Sequence, residues 1–335
     1  MNIQQIFKSL NNNRLLWPFK MAITALVVYL VYKSLGNGQL PLLLHPITLR
    51  PLIVSLILGC VGFYLQTRRW QLLLGNQGTR ISFRTGLRTM LWGCLLAFVT
   101  PGRFGEFFRG ISIKPENKAN AVYAVIIEKI YAGGTALVAG ACGATFSWWA
   151  FGALSPAQGS IIICCSAVMA AVLGIFFSKR ILRNAFARFF RSRAPQNMAA
   201  FPFANLTKKA AAPIAFLSIA THLVLLFQTA VLLDMFGSHG ARANISIAAQ
   251  AYAFMLFFPV FIANMGIREY SFGLFLGKVS VVCGLKAQVS AIAIGASMGI
   301  LCINMILPAV AGLLWWIMDR KKLPVAGEQF PERKQ

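Results

Sequence analysis

Acidic side chains are scarce in this chain: eight Asp and Glu stand among 335 residues, against 32 Lys and Arg. Charge of either sign is also low, at 12% of residues, where soluble domains carry about 25%. With 58% hydrophobic residues, a soluble fold would have to leave large apolar patches in water, so that class is excluded. Metal-ligand clusters are missing too. No CxxC pair occurs, and His45, His222 and His239 are scattered. Structural zinc needs clustered ligands, so no metal site is expected. Cys60, Cys94, Cys142, Cys164, Cys165, Cys283 and Cys302 lie mostly in apolar stretches and read as small buried residues. No GxxxxGK[ST], GxGxxG or HExxH motif is present. Neither a nucleotide-driven engine nor a cofactor is expected.

Long apolar runs fill the space instead. A spanning helix needs about 20 mostly apolar residues. Six stretches meet this, at roughly 17–35, 51–67, 119–149, 159–177, 210–236 and 287–318. The first follows a basic segment but no small-residue cleavage site, so it reads as a retained span and not a leader. The expected fold is an all-α polytopic membrane protein, a single integral membrane domain over 1–335. The net charge of +24 raises the question of nucleic acid, but the cations gather between apolar runs. They lie at Arg68, Arg69, Arg80, Arg84 and Arg88, and again from Lys179 to Lys209. That is the pattern of positive cytoplasmic loops, and nucleic acid is set aside as a partner. It places both termini, the loop 68–88 and the basic loop 178–209 in the cytoplasm, and the uncharged connection 150–158 outside. The start of 178–209, Ile181 to Arg191, reads as a basic amphipathic helix on an anionic leaflet.

Two further apolar stretches, 86–117 and 244–282, are broken by polar and charged residues. A full crossing by 86–117 would put Arg103, Arg109, Lys114 and Lys118 outside, against the charge bias. Both stretches therefore read as re-entrant or broken helices, tolerated only when buried in protein or lining a wet cavity. Phe98–Glu106 aligns without gaps on Phe261–Glu269, matching a Phe and a Glu, and Gly110 then matches Gly273. Three crossings lie between, which inverts orientation. An inverted repeat over 17–177 and 210–318 is the sharper reading; chance matching is the plain one.

Candidate binding residues sit in these breaks. Pro101 and Gly102 interrupt the first, and Gly105 allows close approach. Glu106 lies three residues from both Arg103 and Arg109, so either could pair with it on a helix. Arginine suits planar recognition of phosphate. In the second break, Pro259 and Gly266 precede Arg268 and Glu269. These two are adjacent and point apart on a helix, so each needs another partner. Glu128 and Lys129 interrupt the long run Ala121–Trp149, and Glu128 needs a cation from elsewhere, since intramembrane charge is costly. The competing readings are an interfacial loop whose arginines touch headgroups for the first break, a short external loop with an exposed Arg-Glu pair for the second, and a helix that starts in the interface for Glu128. The spacings Gly273…Gly277 and Gly295…Gly299 read as close helix packing.

These residues carry a family resemblance. Pro101-Gly102 followed by Gly105-Glu106 and Arg109, then the acid–base pair Glu128-Lys129, then Pro259…Gly266, Arg268 and Glu269 resemble the lysylphosphatidylglycerol synthase transmembrane region, also called the flippase-like domain family. The resemblance runs from about residue 20 to 318. Two positions depart from the family pattern. Ala132 stands where an Asp is usual, and Asn264-Met265-Gly266 stands for a Gly-x-Gly. Both bear on the substrate more than on the fold. The soluble aminoacyl-transferase domain of two-part members has no counterpart here, so the resemblance implies lipid translocation or binding and not lipid synthesis.

The expected function is transport of a membrane lipid, with no enzyme activity. The implied ligand is an anionic phospholipid or a polyprenyl-phosphate-linked lipid, held by Arg103, Glu106, Arg109, Glu128, Lys129, Arg268 and Glu269. A bacterial inner membrane is the expected location; a lipid-synthesising partner enzyme and self-association are both open. Two alternatives stand beside it: a membrane enzyme acting on a lipid phosphate or lipid-linked sugar, and a scaffold that presents lipid without moving it.

Overall fold

The computed structural model describes Tyr29 and residues 48–100, 105–107, 109, 118–151, 208–238, 240–258, 264–283 and 289–320. Every regular element among them is helical. In chain order these are α1 (Leu49–Asn76), α2 (Phe83–Val99), α3 (Lys118–Phe151), α4 (Lys208–Met235), α5 (Ala241–Met255), α6 (Ile267–Cys283), α7 (Val289–Leu301) and α8 (Leu307–Arg320). A π-turn, Cys302–Ile306, joins α7 to α8 without a break in the helix. Pro308 follows it and lacks the N–H that an α-helix would offer to the carbonyl of Asn304, which accounts for the widened turn there.

Four segments are long and apolar enough to cross a membrane: Leu49–Asn76, Ala121–Ala150, Ala211–Met235 and Val289–Trp315. They coincide with four of the six expected spans. Of the other two, 159–177 lies outside the described residues and so does 17–35 apart from Tyr29; the basic loop is outside them up to residue 207. Outward faces agree with a lipid surround. Ile53, Ile57, Val61 and Tyr64 on α1 are exposed, as are Phe216, Ile219, Leu223 and Phe227 on α4. Steps of three and four put each set on one helix face, which in water would be an uncovered apolar stripe.

Both interrupted stretches are broken in the structure. The first gives α2, then a tight turn at 105–107 within the connection to α3. The second gives α5, a turn through Asn264–Gly266, and α6. Asn264 and Gly266 both have positive φ, 58° and 85°, and the glycine suits that backbone. The ends of the two breaks meet: Ala97 of α2 and Met265 share one apolar cluster with Leu301 and Met305.

One boundary differs from expectation. Arg68 and Arg69 were read as loop cations, but α1 continues to Asn76 and Arg69 is buried. Its helix face also carries Gly62 and Leu73, both inside, so packing extends the helix past the charged pair.

Helix packing follows a pattern. α1 lies along α4, α3 along α5, and α2 along α8. Each pair is antiparallel. A Cβ on Gly59 would meet Gln228, one on Gly62 would meet Val224, and Arg69 bonds Ser218, so α4 numbers fall as α1 numbers rise. Gly140 faces Ala253, whereas Ser147 bonds Ser246. Arg84 stacks on Trp315 and Gly312 abuts Leu91. The glycine spacings do pack. Gly295 and Gly299 receive Phe236, in the turn after α4, and Leu232 of α4, and Gly273 and Gly277 face Ala293 and Val289 of α7. Small residues let backbones approach where lipid supplies no hydrophobic drive.

Candidate functional site

The first break folds back onto α2. A Cβ on Gly105 would lie 2.1 Å from the carbonyl carbon of Leu96, so only glycine fits this approach. The Thr100 hydroxyl accepts from the Gly105 N–H at 2.6 Å and donates to the Leu96 carbonyl at 2.8 Å. This pins the chain just before Glu106. On α2 a missing side chain makes room for Arg109: a Cβ on Gly93 would sit 2.5 Å from its Cγ. The Arg109 guanidinium then lies 5.8 Å from the ring centre of Trp70, within cation–π range. The Trp70 indole N–H is in turn satisfied by Thr89 at 2.9 Å.

A chain of alternating charges grows from this point. Arg109 donates to Glu106 and to Glu128, both at 2.7 Å. Glu128 places its other oxygen 2.7 Å from Arg69 of α1, and Arg69 also donates to the Ser218 hydroxyl of α4 at 3.1 Å. Lys129 approaches Glu106 at 2.5 Å. Three cations and two carboxylates from α1, α3 and the first break thus form one cluster, held by α2 and α4. Arg69, Glu106, Arg109 and Glu128 are each 4% exposed or less, whereas the Lys129 side chain is 42% exposed. Isolated charges could not persist at such burial. Each acid here holds two cations, and the apolar cluster around Trp70, Met90, Val125 and Ile214 closes one side.

The second break builds a smaller site. Glu269 accepts from the Gly266 N–H, capping the start of α6, half of a capping box. Its other oxygen accepts from the Ser297 hydroxyl of α7. Arg268 donates to the same hydroxyl at 2.6 Å and reaches Glu269 at 3.5 Å. Both charges are buried. The expectation that adjacent residues must find separate partners is corrected here. Glu269 turns back to its own helix start, and Ser297 serves both side chains.

The sequence-derived residues therefore divide as follows. Glu106, Arg109, Glu128 and Lys129 come together. Arg268 and Glu269 form a second centre with Ser297, bonded within itself. Gly105 and Gly266 sit at the two turns as expected, while Arg103, Pro101, Gly102 and Pro259 lie outside the described residues. Sequence reading missed Arg69, Ser218, Trp70, Gly93 and Ser297. For Arg69 a signal existed: Trp70 and Leu72–Leu74 continue the apolar run beyond it. Among the described residues no group of His, Cys, Asp and Glu could hold a metal ion.

No curated protein and no solved structure matches the chain. A family model does, over residues 17–308, which include both breaks, the whole charged cluster and the Arg268–Glu269 pair. The chain belongs to the family of that model, the lysylphosphatidylglycerol synthase transmembrane region.

Proposed function

We propose that this protein is a lipid transporter that takes an anionic or lipid-linked headgroup into its interior and passes it across the membrane. The observation that carries this reading is the five-charge cluster: four buried charges and the half-exposed Lys129, with Arg69, Glu128 and Lys129 on helices long enough to span and Glu106 and Arg109 in the first break between them. Charges at membrane depth mark substrate paths. Arg109 and Lys129 supply cations to a phosphate. Glu106 and Glu128 hold these cations in place when the site is empty. Arg268 and Glu269 form the corresponding station in the second break. The protein is read as non-enzymatic, resident in a bacterial inner membrane, with both termini cytoplasmic.

An inverted repeat supports movement. Exchanging α1 with α4, α2 with α5, and α3 with α7–α8 maps three of the pairings onto one another: α1 on α4 maps onto itself, and α3 on α5 becomes α8 on α2; α6 has no counterpart in this exchange. α1 and α4 are both 28 residues long and run antiparallel. A two-fold that exchanges antiparallel spans lies in the membrane plane. The crossing itself is reciprocal, since Arg69 touches Ser218 as Gln228 touches the backbone of Ser55 beside Gly59. Glu106 and Glu269 then occupy equivalent breaks. Rocking of the halves would expose the site first to one leaflet and then to the other.

The test is transbilayer exchange in liposomes. Purified protein is reconstituted with headgroup-labelled anionic phospholipid or polyprenyl phosphate, and an external reductant reports sidedness. The expected result is protein-dependent exchange that Arg109→Ala and Glu269→Ala abolish. Chemical turnover of the lipid in detergent, where no bilayer exists to cross, would instead favour the enzyme. Folded protein that exchanges no lipid but copurifies with a lipid-synthesising enzyme would favour the scaffold.

A further inference from the structure

Arg69 stands outside both breaks and outside every motif that marks the site, yet it takes half of the Glu128 carboxylate. Glu128 has two oxygens and two arginines, one on each, both at 2.7 Å. Arg109 in turn serves two acids, Glu106 and Glu128. The field that Arg109 presents to an incoming anion therefore depends on how much of Glu128 is already neutralised by Arg69. Without Arg69, both oxygens of Glu128 fall to Arg109, and the cluster drops from three cations on two carboxylates to two, Arg109 and Lys129. In a site with little water such a change is weakly screened.

We propose that Arg69 is a positioning residue of the lipid site: by neutralising Glu128 it keeps Arg109 electropositive toward an anionic headgroup. This rests on the transporter reading above, with the cluster as its binding site. Geometry fits the role. Arg69 is 4% exposed and enters from α1, whereas the half-exposed Lys129 belongs to α3. Ser218 holds one of its nitrogens at 3.1 Å, which fixes the guanidinium against Glu128. Arg69 lies seven residues from the end of α1, and Ser218 ten residues from the start of α4, so both are about 10–15 Å inside the same end of the antiparallel pair. The bond thus crosses between the two proposed repeats.

The test measures binding of a short-chain phosphatidylglycerol, a phosphodiester of charge −1, to the purified full chain in detergent at fixed ionic strength. Arg69→Met should weaken binding by about tenfold, the scale of one well-placed charge contact, and Arg69→Lys should retain most of it. Two further variants are Glu128→Gln alone and the double substitution Arg69→Met with Glu128→Gln, which removes the acid that Arg69 neutralises. Charge positioning requires the double variant to bind more tightly than Arg69→Met alone, and Glu128→Gln alone to bind at least as tightly as the parent. A merely structural role also lets the double variant recover, because removing both buried partners strands neither, but it gives a Glu128→Gln defect as deep as that of Arg69→Met, so the Glu128→Gln result separates the two. Should Arg69→Met fail to fold, the Glu128→Gln and Arg69→Lys results still decide the matter. If the parent protein binds the probe but all variants match it, the Arg69 role is overturned and the lipid site stands. If the parent binds no anionic lipid, both fall together.

Discussion

Glu128 is the residue on which the cluster turns, since it joins the arginine of α1 to the arginine of the first break. Replacing it with Leu would leave Arg69 and Arg109 facing each other across an apolar gap. Breaking a buried ion pair by removing one partner costs about 3–5 kcal/mol, and here one removal strands Arg69 and leaves Arg109 with Glu106 alone. Glu128→Leu should therefore lower the thermal midpoint of the detergent-solubilised protein far more than Ser297→Ala does, whose cost is nearer that of a lost buried hydrogen bond, about 1–3 kcal/mol. Equal midpoints for the two would mean that the cluster is wetter than its burial implies. At this scale the sequence was informative where partners are close in the chain. The three-residue step from Glu106 to Arg109 is readable as a helical pair, and the need of Glu128 for a distant cation follows from its place in an apolar run. The identity of that cation was not readable. Arg69 is 59 positions away, and its neighbour Arg68 faces outward onto Tyr64 and Phe83. Two adjacent arginines with opposite fates look alike until the helix that carries them has neighbours.

The glycines of the first break and of α2 have a mechanical role at the scale of elements. Gly105 presses on the Leu96 backbone and Gly93 on the Arg109 side chain, so the broken segment is laid into a groove that α2 provides. Gly105→Ala would force the break off α2, because backbone cannot yield as a flexible side chain can. The expected outcome is loss of lipid exchange with the protein still inserted and folded in part. Gly133→Ala on α3 is the control: a Cβ there meets nothing within 4 Å, and alanine improves helix propensity by about 1 kcal/mol. It should be neutral or slightly stabilising in the same exchange and melting assays. The breaks themselves were legible from Pro and Gly inside apolar runs. The groove was not, since a glycine in α2 looks no different in sequence from one that merely tolerates packing. The π-turn before Pro308 was equally hidden, although the proline that explains it is in plain view. It carries Asn304, which exchanges hydrogen bonds with Gln228 at the α1–α4 crossing.

Orientation in the bilayer belongs to the whole molecule, and it follows from helix direction together with charge. Because α1 and α4 are antiparallel, their C-terminal ends lie at opposite ends of the bundle. The loop after α1 carries Arg80, and positive loops face the cytoplasm. The turn after α4 leads into α5, where Arg242 is exposed. The expected topology puts Arg80 inside and Arg242 outside, as an inverted pair of repeats demands. In a background without native cysteines, Arg80→Cys should react with a membrane-impermeant maleimide only when inside-out vesicles are used. Arg242→Cys should react on intact cells. Labelling of both sites from one side is incompatible with α1 and α4 both spanning in the directions seen here, and it would remove the two-fold argument for alternating access. Labelling from opposite sides leaves the charged cluster on the cytoplasmic half of the bundle, since Arg69 is nearer to Arg80 along α1 than to that helix's other end. Lipid would then first meet Arg109 and Lys129 from the inner leaflet, and the Arg268–Glu269 station would be the later one on the way out.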